Sequence, residues 1–195
     1  MFRYNVLRQY SAETFAYLRA HNEEERGIQC ELILRRLVHG LGYLCISDRQ
    51  QSPDFTINPV EYWSRHPAHI QGLSFFCPNR LRYRRKSKDS VIQRDWLVVE
   101  DDKGTLDQQV VLYRWLAGQV RHPLRMLVWS GNKSIHSFWE VDGKPCDHLL
   151  DLARRLGMPC TLNPDKFVRL PNGWNAVTRT KQEILWLDWQ WFRKH

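Results

Sequence analysis

Residues 97–102 read Leu-Val-Val-Glu-Asp-Asp, an apolar run that ends in acids. A short apolar run is typical of a buried β-strand, and residues two apart on a strand point to the same face. Glu100 and Asp102 are therefore predicted to project together at the strand end, with Asp101 on the opposite face. Mg²⁺ binds through one or two carboxylates and shares substrate phosphates, so this pair is a candidate metal site.

A second motif, at residues 126–139, reads Met-Leu-Val-Trp-Ser-Gly-Asn-Lys-Ser-Ile-His-Ser-Phe-Trp. Its apolar ends indicate two strands joined by a turn at residues 130–133. Ser134 and His136 are two apart and are predicted to share a face, and Lys133 adds a positive charge beside them. An acidic pair and a Lys-Ser-His cluster on neighbouring strands would suit a metal ion together with a phosphate group.

The same residues also have structural interpretations. Acids are common at strand ends, so Glu100 and Asp102 could simply terminate a strand in solvent. A single histidine such as His136 often serves as a hydrogen-bonded member of a sheet. The turn is not a P-loop, because Leu127 stands at the earlier glycine position of that motif. The combination of the two motifs favours the binding interpretation.

Apolar spacing predicts the elements around these motifs. The predicted helices cover residues 15–21, 28–41, 105–120 and 146–156, the first with a start near Ser11. The predicted strands cover residues 73–77, 97–102, 124–129 and 134–141, and residues 182–192 form a closing strand or helix. The order strand, helix, strand, strand, helix from residue 97 onward predicts an α+β fold with helices on one face of a mostly antiparallel sheet.

Length and composition restrict the class of protein. A chain of 195 residues can form one domain with its own core, and nine Trp favour a globular fold. The formal net charge of +8 favours polyanionic partners. No apolar run approaches the roughly 20 residues that span a bilayer, and no signal-peptide pattern is present, so no membrane association is expected. Five cysteines without a CxxC pair predict a reducing, cytoplasmic location.

The most basic segment of the chain is a candidate nucleic-acid contact. Residues 78–88 contain Arg80, Arg82, Arg84, Arg85 and Lys86 together with Tyr83. Positive charges with an aromatic side chain among them are typical of a surface that contacts a nucleic-acid backbone. A solvated surface loop has the same composition and is the alternative. The neighbouring candidate metal site favours the nucleic-acid interpretation.

Taken in order, these motifs resemble those of the archaeo-eukaryotic primase superfamily, in particular the small primase-polymerase domains of phages, plasmids and mobile elements. The resemblance covers about residues 96–182. The residues that carry it are Glu100-x-Asp102, Gln108, Ser130-Gly-Asn-Lys133-Ser134-x-His136, Asn163-Pro164, Arg169-Leu170-Pro171, Arg179 and Gln182.

The resemblance implies a role for each motif. In this family, strand-end acids hold divalent ions that bridge a nucleoside triphosphate and activate the attacking oxygen. Glu100 and Asp102 would accordingly bind Mg²⁺ or Mn²⁺ and, with His136, form the catalytic site. The nucleotide would be bound by Lys133, Ser134, His136 and Arg169, with Arg169 meeting the triphosphate or the template.

The implied protein is a DNA-dependent primase-polymerase, a nucleotidyltransferase that makes primers on a single-stranded template for the replication of a phage, plasmid or mobile element. Its partners would be single-stranded DNA, nucleoside triphosphates and a separate helicase or replication initiator. The implied fold is one catalytic domain, in which residues 96–195 form an RRM-like antiparallel sheet with flanking helices and residues 1–95 form an N-terminal α/β lobe.

One departure from the family keeps two other functions open. Many members carry a further acid on the strand after the second helix, where this chain has Met158, Cys160 and Thr161; the nearest carboxylate is Asp165. A weakened metal site would suit a non-catalytic replication-initiation or nucleic-acid-binding protein that retains the primase fold. A metal-dependent nuclease is the third option, because the same ions support cleavage of a phosphodiester.

Overall fold

The computed structural model describes residues 2–9, 14–48, 56–158 and 163–194. In these ranges the helices are α1 (Phe2–Gln9), α2 (Phe15–His21), α3 (Glu23–Gly27), α4 (Cys30–Leu37), α5 (Val60–Arg65), α6 (Leu106–Ala117), α7 (Asp147–Arg155) and α8 (Trp189–Lys194). The strands are β1 (Tyr43–Ser47), β2 (Ile57–Pro59), β3 (Phe75–Phe76), β4 (Trp96–Asp101), β5 (Leu124–Trp129), β6 (Ile135–Glu140), β7 (Val168–Arg169), β8 (Trp174–Asn175), β9 (Thr180–Lys181) and β10 (Glu183–Leu187). The strand pairs are antiparallel, so the predicted α+β class with antiparallel sheets is confirmed. None of the described helices has the length and apolar character needed to cross a bilayer.

The central sheet carries both sequence motifs. Its strand order is β10-β5-β6-β4, and neighbouring strands are antiparallel. Because β6 lies between β4 and β5, the β4-α6-β5 connection forms a split β-α-β unit. In the register of β4 on β6, Glu100 lies opposite His136. The two motifs therefore meet on neighbouring strands.

One face of the central sheet is covered by α6 and α7 together with α1 and α2. Leu97 points into this layer and joins a core that includes Tyr113. Helix α6 begins with a capping box in which Thr105 and Gln108 satisfy each other's backbone N–H groups. The Tyr113 hydroxyl donates a hydrogen bond to the carbonyl of Ile135 at 2.7 Å, which ties α6 to β6.

The opposite face of the central sheet is also buried. Val98, Met126 and Phe138 pack there against α4, α8 and a smaller sheet of order β2-β1-β3-β7. Successive strand residues alternate between the two layers. Glu100 therefore follows Val98 on the side of the smaller sheet, while Asp101 projects toward the helices. Because of this alternation, Glu100 and not Asp101 faces the space between the two sheets.

Asp101 is a structural acid. Its fully buried carboxylate forms an ion pair with Arg3 of α1, with Nη2 and Oδ2 2.5 Å apart. It also accepts a hydrogen bond from the backbone N–H of Lys103 at 3.0 Å. These contacts fix α1 to the end of β4. Sequence spacing did not predict α1, a helix of eight residues in which Val6 alone is buried among the described side chains.

The helix predicted over residues 28–41 is shorter than expected. Helix α4 ends at Leu37, because Val38 is extended and both Gly40 and Gly42 have positive φ, 86° and 125°. Such φ values favour glycine and are incompatible with a continuing right-handed helix. The apolar residues beyond Leu37 therefore belong to the connection that leads into β1.

The segment 182–192, predicted to be a closing strand or helix, contains both a strand and the start of a helix. Its first part is β10, which pairs with β5 at one edge of the central sheet, and its second part begins α8. Residues 23–27, which lie between the helices predicted at 15–21 and 28–41, form α3. The helix start proposed near Ser11 and the residues at 159–162 lie outside the described part of the chain.

Each half of the chain contributes secondary-structure elements that pack with the other half. Helices α1 and α2, from residues 1–95, pack against the helical face of the central sheet through Val6 and Leu18. Strand β7, from residues 96–195, pairs with β3 and so belongs to the smaller sheet. The structure of each half therefore depends on the other.

Replacing Asp101 with Asn should lower the free energy of unfolding by roughly 3 kcal/mol, because it removes one partner of a buried ion pair and leaves Arg3 without its counter-charge. Urea denaturation followed by circular dichroism measures this change. Asp102→Asn is the matched control: its side chain is exposed, and we expect a change within about 0.5 kcal/mol. Equal effects of the two substitutions would contradict the structural role of Asp101.

Candidate active site

Four charged or titratable side chains meet between the central sheet and the smaller sheet. We refer to Glu100, His136, Lys166 and Arg169 as the Glu100 cluster. Glu100 Oε2 lies 3.5 Å from His136 Nε2, and Glu100 Oε1 lies 3.2 Å from Lys166 Nζ. Each carboxylate oxygen of Glu100 thus faces a different partner, one from β6 and one from the segment before β7.

Arg169 enters the cluster from the smaller sheet. It lies on β7 opposite Phe75 of β3, and its guanidinium is 4.4 Å from the centroid of the Phe75 ring. Burial lowers the pKa of Arg169, an effect that the negative charge of Glu100 opposes. Arg169 is therefore a positioned, half-buried cation held by an aromatic ring.

His136 is neutral at neutral pH. Burial lowers its pKa from 6.5 to about 4, and Glu100, the strongest opposing influence, does not offset that burial. A neutral imidazole has one N–H donor and one acceptor nitrogen. The Nδ1 atom is buried and makes no hydrogen bond to any described residue. A buried polar atom without a partner is uncommon in folded proteins and is typical of functional sites.

The other predicted site residues, Asp102, Lys133 and Ser134, lie in different environments. Asp102 is exposed just past the end of β4, and its charge raises the pKa of His136. Lys133 is exposed in the turn before β6. Ser134 is buried, and its hydroxyl donates to the hydroxyl of Ser130 at 3.1 Å, so it closes the turn in this structure.

The turn between β5 and β6 is fixed from two sides. Gln109 of α6 donates from Nε2 to the carbonyl of Lys133 at 2.8 Å and accepts from the N–H of Ile135 at 2.7 Å. On the other side, Thr180 Oγ1 donates to the carbonyl of Gly131 at 2.8 Å. Gly131 has a φ of 75°, and a Cβ at this position would clash with Thr180. The turn therefore requires glycine here for both reasons.

Two of the site's supporting residues were not found from the sequence. Lys166 lies between the Asn163-Pro164 and Arg169-Leu170-Pro171 motifs and belongs to neither, and its contact with Glu100 joins residues far apart in the chain. Gln108 contributed to the family resemblance, yet the structure uses it in the helix cap, while the adjacent Gln109 holds the turn. Helical periodicity could have identified Gln109 as a buried polar residue, because it shares the buried face of α6 with Val110 and Tyr113.

The cluster offers part of a metal site. No group of three or more His, Cys, Asp or Glu within the described ranges is arranged to hold a metal ion. Glu100 and Asp102 provide the hard oxygen atoms that Mg²⁺ and Mn²⁺ prefer, and Mg²⁺ commonly completes its shell with water and substrate phosphates. The Lys166 ammonium already occupies a cation position on Glu100 Oε1. The donors fit an ion that is shared with substrate, rather than an ion enclosed by protein.

The basic segment 78–88 divides into buried and exposed charges. Arg80 forms an ion pair with Asp95, with Nε and Oδ2 3.4 Å apart. Lys86 lies over the Phe167 ring at 4.8 Å and pairs with Asp165 at 3.8 Å. The exposed residues are Arg82, Tyr83, Arg84, Arg85 and Lys88, of which Arg84 also donates to the carbonyl of Ile57 at 2.9 Å. Arg80 and Lys86 therefore hold the segment in place.

The basic segment approaches the Glu100 cluster through Lys86. Lys86 contacts Asp165, and Asp165 precedes Lys166 in the chain. A cavity of about 600 Å³ lies elsewhere, with Cys30, Trp174 and Lys181 among its lining residues, and the Glu100 cluster is not part of the described wall. The position of the charges and the position of this cavity do not coincide. The charged groups, which have specific partners, define the candidate site.

The lowered pKa of His136 should appear in the pH dependence of stability. The unfolded chain takes up a proton at this residue near pH 6.5, whereas the folded chain does so near pH 4. Acidification from pH 6.5 to 4 should therefore destabilise the wild type relative to His136→Gln, by up to about 3 kcal/mol. Urea denaturation of both proteins across this range measures the difference. A difference that does not change with pH would contradict a buried neutral His136.

Comparison with known proteins provides no relative from which to transfer an activity. No family model matches the chain, and neither a curated protein nor a solved structure matches it. The interpretation of the site therefore depends on the geometry of the Glu100 cluster and on the motif resemblance stated above.

Proposed function

We propose that this protein is a primase-polymerase, a nucleotidyltransferase that extends and initiates chains on a single-stranded DNA template. The observation that carries the proposal is the contact between Glu100 and His136 across β4 and β6, with Arg169 approaching from the smaller sheet. The two sequence motifs thus meet at one position with a cation beside them. Phosphoryl transfer depends mainly on such positioning and charge neutralisation.

The topology is compatible with the RRM-like fold that the resemblance implies. Strands β4, β6 and β5 have the split β-α-β arrangement of RRM-like sheets. The closing strand β10 differs, because it lies beside β5 rather than beside β4. This difference leaves β4 at the sheet edge. The edge position gives the acids at the end of β4 access from the side of the sheet.

In the proposed mechanism, Glu100 and Asp102 would hold Mg²⁺ or Mn²⁺, which when bound neutralises the triphosphate and activates the attacking oxygen. Arg169 binds phosphate oxygens through its guanidinium, whose planar fork suits bidentate contacts. His136 remains neutral and can donate one hydrogen bond to a phosphate oxygen. Lys133, exposed at the turn, adds positive charge, and Ser134 would reach phosphate only by leaving Ser130.

The template would bind along the exposed part of the basic segment. Arg82 and Arg85 provide charge for the backbone, and Tyr83, with 57% of its surface exposed, provides a ring on which a base can stack. The net charge of +8 supports a polyanionic partner. A separate helicase or replication initiator would supply single-stranded DNA in the replication of a phage, plasmid or mobile element.

A non-catalytic nucleic-acid-binding protein with the same fold is the second candidate. The observation that favours it is the incomplete donor set: within the described ranges no group of three or more His, Cys, Asp or Glu could hold a metal ion, and Lys166 already contacts Glu100. This candidate predicts DNA binding without nucleotide incorporation. A metal-dependent nuclease, the third candidate, predicts that the substrate becomes shorter.

Substitution of the strand-end acids separates these functions. Glu100→Gln and Asp102→Asn should each lower nucleotide incorporation on single-stranded DNA with Mn²⁺ by about 100-fold or more, because each removes a carboxylate that would hold the cation whose charge stabilises the transition state. Gel analysis of labelled products measures incorporation. Asp151→Asn, an exposed acid on α7, is the matched control and should retain wild-type activity. If the wild type and both variants are equally inert but bind DNA, the non-catalytic candidate is correct.

The exposed arginines should control the salt dependence of DNA binding. Replacing Arg82 and Arg85 with Ala should weaken binding to single-stranded oligonucleotides at every sequence tested. The slope of log K against log salt should fall in magnitude by about 1.4, because each lost phosphate contact removes about 0.7. Fluorescence anisotropy at several salt concentrations measures the slope. The double variant Arg121→Ala/Lys144→Ala removes the same charge at other exposed positions, and an equal effect there would refute the proposed surface.

A further inference from the structure

Lys166 makes the closest contact with the Glu100 carboxylate. Its Nζ lies 3.2 Å from Glu100 Oε1, while the other oxygen of that carboxylate faces His136. The Lys166 side chain is 47% exposed, whereas Glu100 is 22% exposed. The ammonium group therefore covers the acid from the solvent side. A divalent ion that approaches Glu100 from solvent meets this lysine first.

The backbone that carries Lys166 is held firmly. Asn79 donates to the carbonyl of Pro164 at 2.8 Å, and the same side chain accepts hydrogen bonds from backbone N–H groups at the start of β4. Asp165 is paired with Lys86, and Phe167 is buried. The backbone position of Lys166 is thus fixed relative to β4, and only the half-exposed side chain is free to move.

An ammonium group and a divalent ion compete for the negative charge of one carboxylate. The two cations repel each other, and Mg²⁺ requires a near-ideal octahedral shell that a lysine on Oε1 would obstruct. Lysine has a compact charge on a flexible four-carbon stem, so its side chain can leave Glu100 without any movement of the backbone. Its fixed anchor would keep the displaced charge near Arg169, where the phosphates are expected.

We infer that Lys166 is an exchangeable counter-ion: it neutralises Glu100 before a divalent ion binds, and then moves to the phosphate groups of the nucleotide. The inference rests on the proposed function, since it requires Glu100 to be a metal ligand. It assigns a role to a residue outside the sequence motifs. Lys166 opposes binding of the ion alone and favours binding of the ion together with nucleotide, so the site fills preferentially when substrate is present.

Lys166→Met should therefore change two affinities in opposite directions. Without nucleotide, Mn²⁺ should bind about two- to fivefold more tightly, the range expected for loss of a partly exposed ion pair. With saturating Mn²⁺, a non-hydrolysable nucleoside triphosphate should bind more weakly than to the wild type. Electron paramagnetic resonance of free Mn²⁺ and isothermal titration calorimetry measure the two quantities. Lys144→Met, which removes an exposed charge paired with Asp142, should change neither.

The same titration in a Glu100→Gln background completes the test. If Lys166 acts through Glu100, Lys166→Met should produce no further gain in Mn²⁺ affinity there. Unchanged or weaker Mn²⁺ binding by Lys166→Met, beside a wild type that does bind Mn²⁺, would overturn the inference and leave the proposed function intact. Absence of Mn²⁺ binding in both proteins would overturn the proposed metal site together with the inference. Lys166→Gln repeats the test with a polar side chain.

Discussion

The register of β4 on β6 is the constraint on which the candidate site depends. It sets Glu100 opposite His136, and a slip of one residue would turn Glu100 into the helical core and Asp101 toward the smaller sheet. Several contacts oppose that slip. Asp101 is bound to Arg3, the carbonyl of Ile135 accepts from α6, and apolar residues occupy both faces of β4. The core and the ion pair on one side of the sheet therefore position the acid on the other side.

Charge within the cluster is unbalanced in a way that suits an anionic substrate. Glu100 contributes one negative charge, whereas Lys166 and Arg169 contribute two positive charges, and burial keeps His136 neutral. A protonated His136 would add a third positive charge in a buried position, where its desolvation is unfavourable. The neutral ring instead offers hydrogen bonding without further charge. Phosphate groups and a divalent ion together would complete the balance.

The sequence predicted the parts of the site that depend on local periodicity. Alternation along a strand was sufficient to separate Glu100 from Asp101. It was not sufficient for Lys166, because its contact depends on a long connection and on the two-residue pairing of β7 with β3. Alternation also did not predict the partner of Ser134, whose hydroxyl donates to the hydroxyl of Ser130. Hydrogen-bond partners across a turn leave no periodic signal.

The smaller sheet is part of the site and not an accessory to it. The register of β4 on β6 brings Glu100 and His136 together. Arg169 reaches them because β7 pairs with β3, and its guanidinium stacks on the ring of Phe75. Lys166 depends in the same way on Asn79, which binds both Pro164 and the start of β4. The cations and the acid therefore come from different layers, and packing of the two sheets sets the distance between them. A change in that packing would alter the distance between Glu100 and the cations that face it.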